Sequence, residues 1–173
     1  DANELRAVMF HMADHHQPTY MQLVRPKMPK LFDENCRFDP QRAVRLHEGA
    51  DVTLVSTGFM TRFALDAARE LSAEGLRVDL LHYPSVKPFD AQALIESAQR
   101  TGAVVTVENQ NIIGGLGSAA CEVLSEQHPV RVKRLGIPDR FGEVADQDYL
   151  FDKHGFGPKH IAKACRELAR ATT

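Results

Sequence analysis

From Ala43 onward, short apolar runs alternate with amphipathic stretches of helical period, and this alternation admits few folds. Residues 51–57 (DVTLVST) read as a buried strand. Gly58 turns the chain into a helix over residues 61–73, with Phe63, Ala64, Ala67, Ala68 and Leu71 on one face. Gly75 ends that helix. Residues 78–83 form a second strand, stopped by Pro84. Asp90 caps a helix running to about Arg100, and Gly102 closes it. A strand over 103–107, a helix over 116–126, a strand over 130–135 and a last helix over 161–171 complete the pattern. Strands alternating with helices of this length imply βαβ units: a mostly parallel sheet, helices on both faces, right-handed crossovers.

The first 43 residues do not belong to that rhythm. Residues 3–16 read as a helix with Leu5, Val8, Met9 and Met12 at helical spacing, and Asp1 or Asn3 can cap it. Pro18 breaks it, and residues 19–24 (TYMQLV) read as a strand ending at Arg25-Pro26. A helix and a strand alone are half of an α/β unit and cannot bury both faces. Residues 26–43 carry Pro26, Pro29 and Pro40 with no period, as expected of a strap laid over a surface, with Phe32 and Phe38 as its anchors. Position 1 is not Met and the chain opens inside a helix, so a piece of a longer polypeptide, or a processed one, is expected.

The net charge is −2 with acids and bases mixed throughout, which offers no nucleic-acid footprint and no membrane surface. No apolar run approaches the roughly 20 residues that span a bilayer, and no signal peptide is visible. Cys36, Cys121 and Cys165 lie far apart without a CxxC, as expected of buried, reduced thiols in a cytoplasmic protein.

Gly114-Gly115-Leu116-Gly117 looks at first like a phosphate loop. It follows the third strand of the regular region rather than the first, and no Lys-Ser or Lys-Thr comes after it. The reading preferred here is mechanical. Gly114 and Gly115 allow positive φ, Gly117 lets the helix approach its neighbour, and Ser118 caps the first turn. Just before them, Glu108, Asn109, Gln110 and Asn111 form a polar loop at the carboxyl end of a parallel strand, where α/β sheets present functional residues. Such a loop lines a site, meets a partner, or is simply solvated.

Four segments in order carry a family resemblance: EGADVTLVSTG (48–58), SVKPFD (85–90), VTVENQNIIGGLGS (105–118) and GIPDRFGE (136–143). Together they resemble the C-terminal domain of transketolases and deoxyxylulose phosphate synthases. The resemblance implies a three-layer α/β/α sandwich on a mostly parallel five-stranded sheet over residues 44–173. Residues 1–25 resemble the end of the family's pyrimidine-binding domain, and 26–43 its connecting linker. Members bind thiamine diphosphate with Mg or Ca and transfer a two-carbon ketol unit between sugar phosphates. The family's GDG…N motif is absent here, and the activating glutamate would precede Asp1. No catalytic residue, cofactor or metal is therefore expected on this chain alone. The partners implied are the missing N-terminal half, fused or separate, in a homodimer or heterotetramer. The resemblance gives Arg25 the role of gripping a sugar phosphate, although Arg25-Pro26 departs from the commoner pattern. It turns residues 108–111 towards a neighbouring domain or subunit. The β-type component of a 2-oxoacid dehydrogenase shares the domain but usually shows His-Glu where Glu108-Asn109 stands. A stand-alone nucleotide- or anion-binding module using the glycine loop is the alternative of another class.

Other candidates read as structural. His11 and His15 have metal-binding helical spacing but no third ligand, and His82 reads as a core or rim histidine. Cys121 falls inside a helix and reads as packed. Residues 56–58 end a strand where a turn can offer N–H groups to an anion. Arg166 and Arg170 read as a wet face.

Overall fold

The computed structural model describes residues 1–170. Five strands form one sheet in the order β1-β3-β2-β4-β5. They are β1 (Val44–His47), β2 (Val52–Ser56), β3 (Val78–His82), β4 (Ala103–Asn111) and β5 (Arg131–Ile137). β1 runs antiparallel to β3 at one edge, and all other pairings are parallel. The helices are α1 (Ala2–Asp14), α2 (Thr61–Ala73), α3 (Ala91–Thr101), α4 (Leu116–Gln127), α5 (Gln147–His154) and α6 (Pro158–Arg170). The result is the expected α/β/α sandwich on a mostly parallel five-stranded sheet.

Side-chain alternation divides the core. Val52 and Leu54 of β2, Val78 and Leu80 of β3, and Val105 and Val107 of β4 face α2 and α6. Val55, Leu81 and Val104 face α3 and α4, against Leu94, Leu116, Ala120 and Leu124. Strands covered on both faces read as continuous apolar runs, which is why the sequence located them. Asp79 on β3 interrupts such a run with a charge, fully buried on the α3 side. Ser97 Oγ donates to its Oδ2, Arg100 Nη2 lies 2.5 Å from Oδ2, and Arg45 Nε lies 3.2 Å from Oδ1. Burial of this carboxylate is offset by two guanidiniums and a hydroxyl.

Residues 15–43 contain neither helix nor strand. The strand expected over 19–24 is therefore corrected to irregular chain. A strand exists through ladder hydrogen bonds, and none of the five strands pairs with this segment. Two elements escaped the sequence pattern, the short edge strand β1 and helix α5, of which only Phe151 is buried. The last helix starts at Pro158 rather than Ile161, and its expected end, Ala171, lies outside the described residues.

Arg166 lies on the solvent side of α6, as a wet face implies, and is held there by two ion pairs. Its Nε donates to Glu74 Oε2 at 2.7 Å and its Nη2 to Glu70 Oε1 at 2.5 Å, tying α6 to α2 across their solvent side. Of the cysteines, only Cys165 is buried, and that burial pushes its thiol up to about 12. Cys36 and Cys121 are half-buried, a correction to the expectation of three buried thiols.

Candidate functional site

In a doubly covered parallel sheet, ligands sit at the carboxyl ends of strands where the crossovers diverge to opposite faces. Here that point lies between β2, which leads into α2, and β4, which leads into α4. A single turn of tight helix at Gly58–Met60 fills the β2 side, burying Phe59 and Met60. On the other side β4 does not stop at Val107 but runs on to Asn111. The polar residues 108–111 are thus strand rather than loop, a correction to the sequence reading. Asn111 pairs with Ile137 after a register shift, and Ile112 N–H donates to Ile137 O at 3.0 Å.

Glu108 explains both the length of β4 and the glycines. It is fully buried. The N–H groups of Leu116 and Gly117 donate to its two oxygens at 2.8 and 2.9 Å. A carboxylate of the chain itself therefore occupies the positive end of α4, the position an anion would take. Burial pushes this carboxyl above its ordinary value, against the pull of the two amides and of Arg134. Gly115 is needed because a Cβ there would overlap Glu108 Oε2. Its φ of −100° is ordinary, so the expected positive φ holds for Gly114 (φ 80°) but not for Gly115. A Cβ on Gly117 would come 2.8 Å from Thr106 Oγ1 and from Arg134 Cδ, which is the close helix approach expected. Ser118 does not cap the first turn of α4. Its Oγ accepts from Gly114 N–H at 2.9 Å and donates to Ile112 O at 3.1 Å, holding the loop closed. The sequence signal for the Glu108 cap is the acid seven positions before Gly115, legible only once the chain is seen to fold back.

The other candidates are dispersed. Asn111 Nδ2 donates to Asp139 Oδ1 at 2.9 Å, and its Oδ1 accepts from Ile113 N–H at 2.8 Å. Asn109 and Gln110 are half-buried. Arg25 is exposed in the irregular segment, and no hydrogen bond links it to residues 108–111. His11 and His15 stack with ring centroids 5.3 Å apart. Among the described residues no group of three or more His, Cys, Asp or Glu side chains could hold a metal ion. The glycine turn does not fit a diphosphate, because Glu108 already takes its amides.

The sequence reading did not single out an apolar surface at the same end of the sheet. Ile113 is 63% exposed, and Phe141 and Val144 are wholly exposed. Asn111 and Asp139, bonded to each other, bring the two loops together. Isolated apolar residues in an otherwise polar stretch, as in DRFGEVADQD, are the signal that could have flagged them.

The covered parallel sheet with its single antiparallel edge, and the glycine turn closed by an internal glutamate, define an α/β module of one recognisable kind. The family model described as "Transketolase, C-terminal domain" matches residues 41–161. The chain belongs to the transketolase C-terminal domain family. It is 45% identical over 168 residues to a 6-deoxy-6-sulfo-D-fructose transketolase subunit from a Clostridium species, covering 97% of this chain and 52% of that protein. It is 36% identical over 175 residues to 1-deoxy-D-xylulose-5-phosphate synthase 1 of Geobacter sulfurreducens, covering 99% of this chain and 28% of the synthase. A solved split-gene transketolase, described as an inactive β4 tetramer, matches 100% of this chain and 57% of its own. Its TM-score is 0.95 at 41% identity. The chain spans about half the length, or less, of the curated relatives it matches.

Proposed function

We propose that this chain is the C-terminal portion of a thiamine-diphosphate-dependent, transketolase-like transferase that moves a two-carbon ketol unit between sugar phosphates. One observation carries the reading. The family's C-terminal domain begins at residue 41, yet the likeness to the split-gene transketolase extends over the whole chain, α1 and the irregular segment included. Residues 1–25 are accordingly read as the end of a pyrimidine-binding domain, 26–43 as linker and 44–173 as the C-terminal domain. The exposed Met9, Phe10, Tyr20, Leu23 and Val24 support this, because they form apolar surface suited to a neighbouring body.

In this reading the remainder of the enzyme, fused or a separate subunit, holds thiamine diphosphate and Mg or Ca. The cofactor supplies carbanion stabilisation. This chain completes the subunit and supports a homodimer or heterotetramer, with the Ile113–Phe141–Val144 surface beside residues 108–111 turned to the neighbour. Arg25 is exposed, and in this reading its planar fork grips the substrate's anionic end. No helix among the described residues is long and apolar enough to cross a membrane; a cytoplasmic setting belongs to the same proposal.

The test uses the complete polypeptide, or this chain with its missing half, supplied with thiamine diphosphate and Mg. A ketose phosphate and an aldose phosphate should yield a ketose two carbons longer than the starting aldose, together with an aldose two carbons shorter than the starting ketose. Consumption of pyruvate with release of carbon dioxide would instead support the synthase reading that the Geobacter relative favours. Neither reaction would sink both. In the active assembly Arg25→Ala should raise the apparent KM for phosphorylated sugars about tenfold, with kcat little changed. Unaltered kinetics would remove Arg25 from the site.

A further inference from the structure

Helix α1 contains no buried residue, and its large apolar side chains Met9 and Phe10 face outward. Within this chain, packing against the sheet therefore does little to hold it; besides the His11–Phe38 ring contact with the strap, two polar fastenings near its first turn attach it. The first joins α1 to the strap. Asp1 caps the helix through Oδ1, which accepts from Asn3 and Glu4 N–H, while its Oδ2 accepts from Leu31 and Phe32 N–H. Asn3 Nδ2 adds a bond to Phe32 O at 2.7 Å. The second joins this unit to the sheet. Glu4 Oε1 lies 2.7 Å from Nε2 of His82, the last residue of β3.

His82 is built to hold that bond. Its side chain is 1% exposed, and Glu4 is 16% exposed. Its Nδ1 lies 2.7 Å from Thr61 Oγ1, which in turn lies 3.1 Å from Ser56 Oγ. The Phe32 ring lies 5.1 Å away, covering the imidazole. Thr61 can donate to Nδ1 or accept from it, so Nε2 can present a proton to Glu4 whether the ring is neutral or charged. The bond to His82, with its charge, holds the Glu4 carboxyl below its ordinary value, although burial opposes this. Glu4 also borders a cavity of about 100 Å³ shared with Cys36, Arg37, Asp39 and Arg42 of the strap.

We infer that Glu4–His82 is a latch that fixes the first turn of α1 and the Phe32 part of the strap on the carboxyl end of β3, and that it works as a directed hydrogen bond. A buried polar pair of this kind specifies geometry more than it adds stability. Met28, packed against the core, and Ala43, whose N–H donates to Asp90 Oδ2 at 2.9 Å, anchor the strap on either side. Releasing the latch frees Phe32 from His82 and loosens the strap between those two anchors. This inference concerns the joint and stands or falls independently of the proposed reaction.

Limited trypsin digestion of the complete polypeptide, mapped by mass spectrometry, tests it. The strap presents Lys30 and Arg37 as cleavage points, and Arg69 on α2 with Arg100 on α3 report the body. Glu4→Ala should speed cleavage after Lys30 and Arg37 about tenfold, the size expected for a lost buried bond to a charged group. Cleavage after Arg69 and Arg100 should stay at the native rate. Glu4→Gln, which retains an acceptor, should remain within about threefold of native. His82→Leu, which fills the site without a donor, and the Glu4→Ala/His82→Leu pair should each match Glu4→Ala, since one latch breaks once. Native-rate strap cleavage in Glu4→Ala, equal acceleration in strap and body, loss of protection in Glu4→Gln, or additive effects in the double variant would each overturn the assignment.

Discussion

At the scale of the residue, Glu108, Gly114 and Gly115 show that neighbouring positions in one turn carry different constraints. Gly114 has positive φ with open space around its Cα, so an alanine meets only conformational strain, about 1 kcal/mol. Gly115 has ordinary φ but no room, because the Glu108 carboxylate lies where the methyl would go. An alanine there must dislodge that carboxylate and strand two buried amides. The expected loss is about 3 kcal/mol, overpacking and unmet hydrogen bonds combined. Urea unfolding of Gly114→Ala and Gly115→Ala compares them directly. Equal losses would mean that Glu108 does not govern the turn. The positive φ of Gly114 is legible in the letters GGLG, but the steric constraint on Gly115 is not. Only the distant acid, folded back across the loop, imposes it.

At the scale of the element, legibility follows how local the cause is. β2, β3 and the first part of β4 are apolar on both faces, and α2 and α3 carry one apolar stripe with Gly75 or Gly102 at the end. These signals lie within each segment, and the elements stand where the pattern puts them. β4 was cut short at Val107 because a buried carboxylate argues against a strand, and the amides that offset its burial belong to α4. The opposite error fell on residues 19–24, whose β-type pattern is sound but whose ladder partner is not among the five strands. β1 was missed because an edge strand of four half-exposed or exposed residues has little apolar pattern. The candidate site was less legible than the fold. The pattern of residues 108–111 suggests a site or partner loop, yet Glu108 serves the interior, and the Glu4–His82 contact spans 78 residues with no sequence signature.

At the scale of the whole molecule, the carboxyl end of the sheet has the first amides of α4 taken by Glu108 but is not finished as a surface. Phe141 and Val144 touch water on all sides, and Ile113 is largely exposed. If that end meets a neighbouring subunit, the double substitution Phe141→Ser/Val144→Ser should weaken association about tenfold or more in sedimentation of the complete assembly. Folding of the chain should be unaffected, since neither side chain is buried. Unchanged association would turn the interface elsewhere.

The bonds from Asp1 to Leu31 and Phe32 close a ring made of α1 and the irregular chain after it, before the chain reaches the sheet. A ring already closed at its neck tolerates changes of circumference cheaply: doubling the residues of its flexible part costs only about 0.6 kcal/mol of closure entropy. Evolution can therefore lengthen, shorten or rewrite the stretch bearing Arg25 while the strands behind it keep their register.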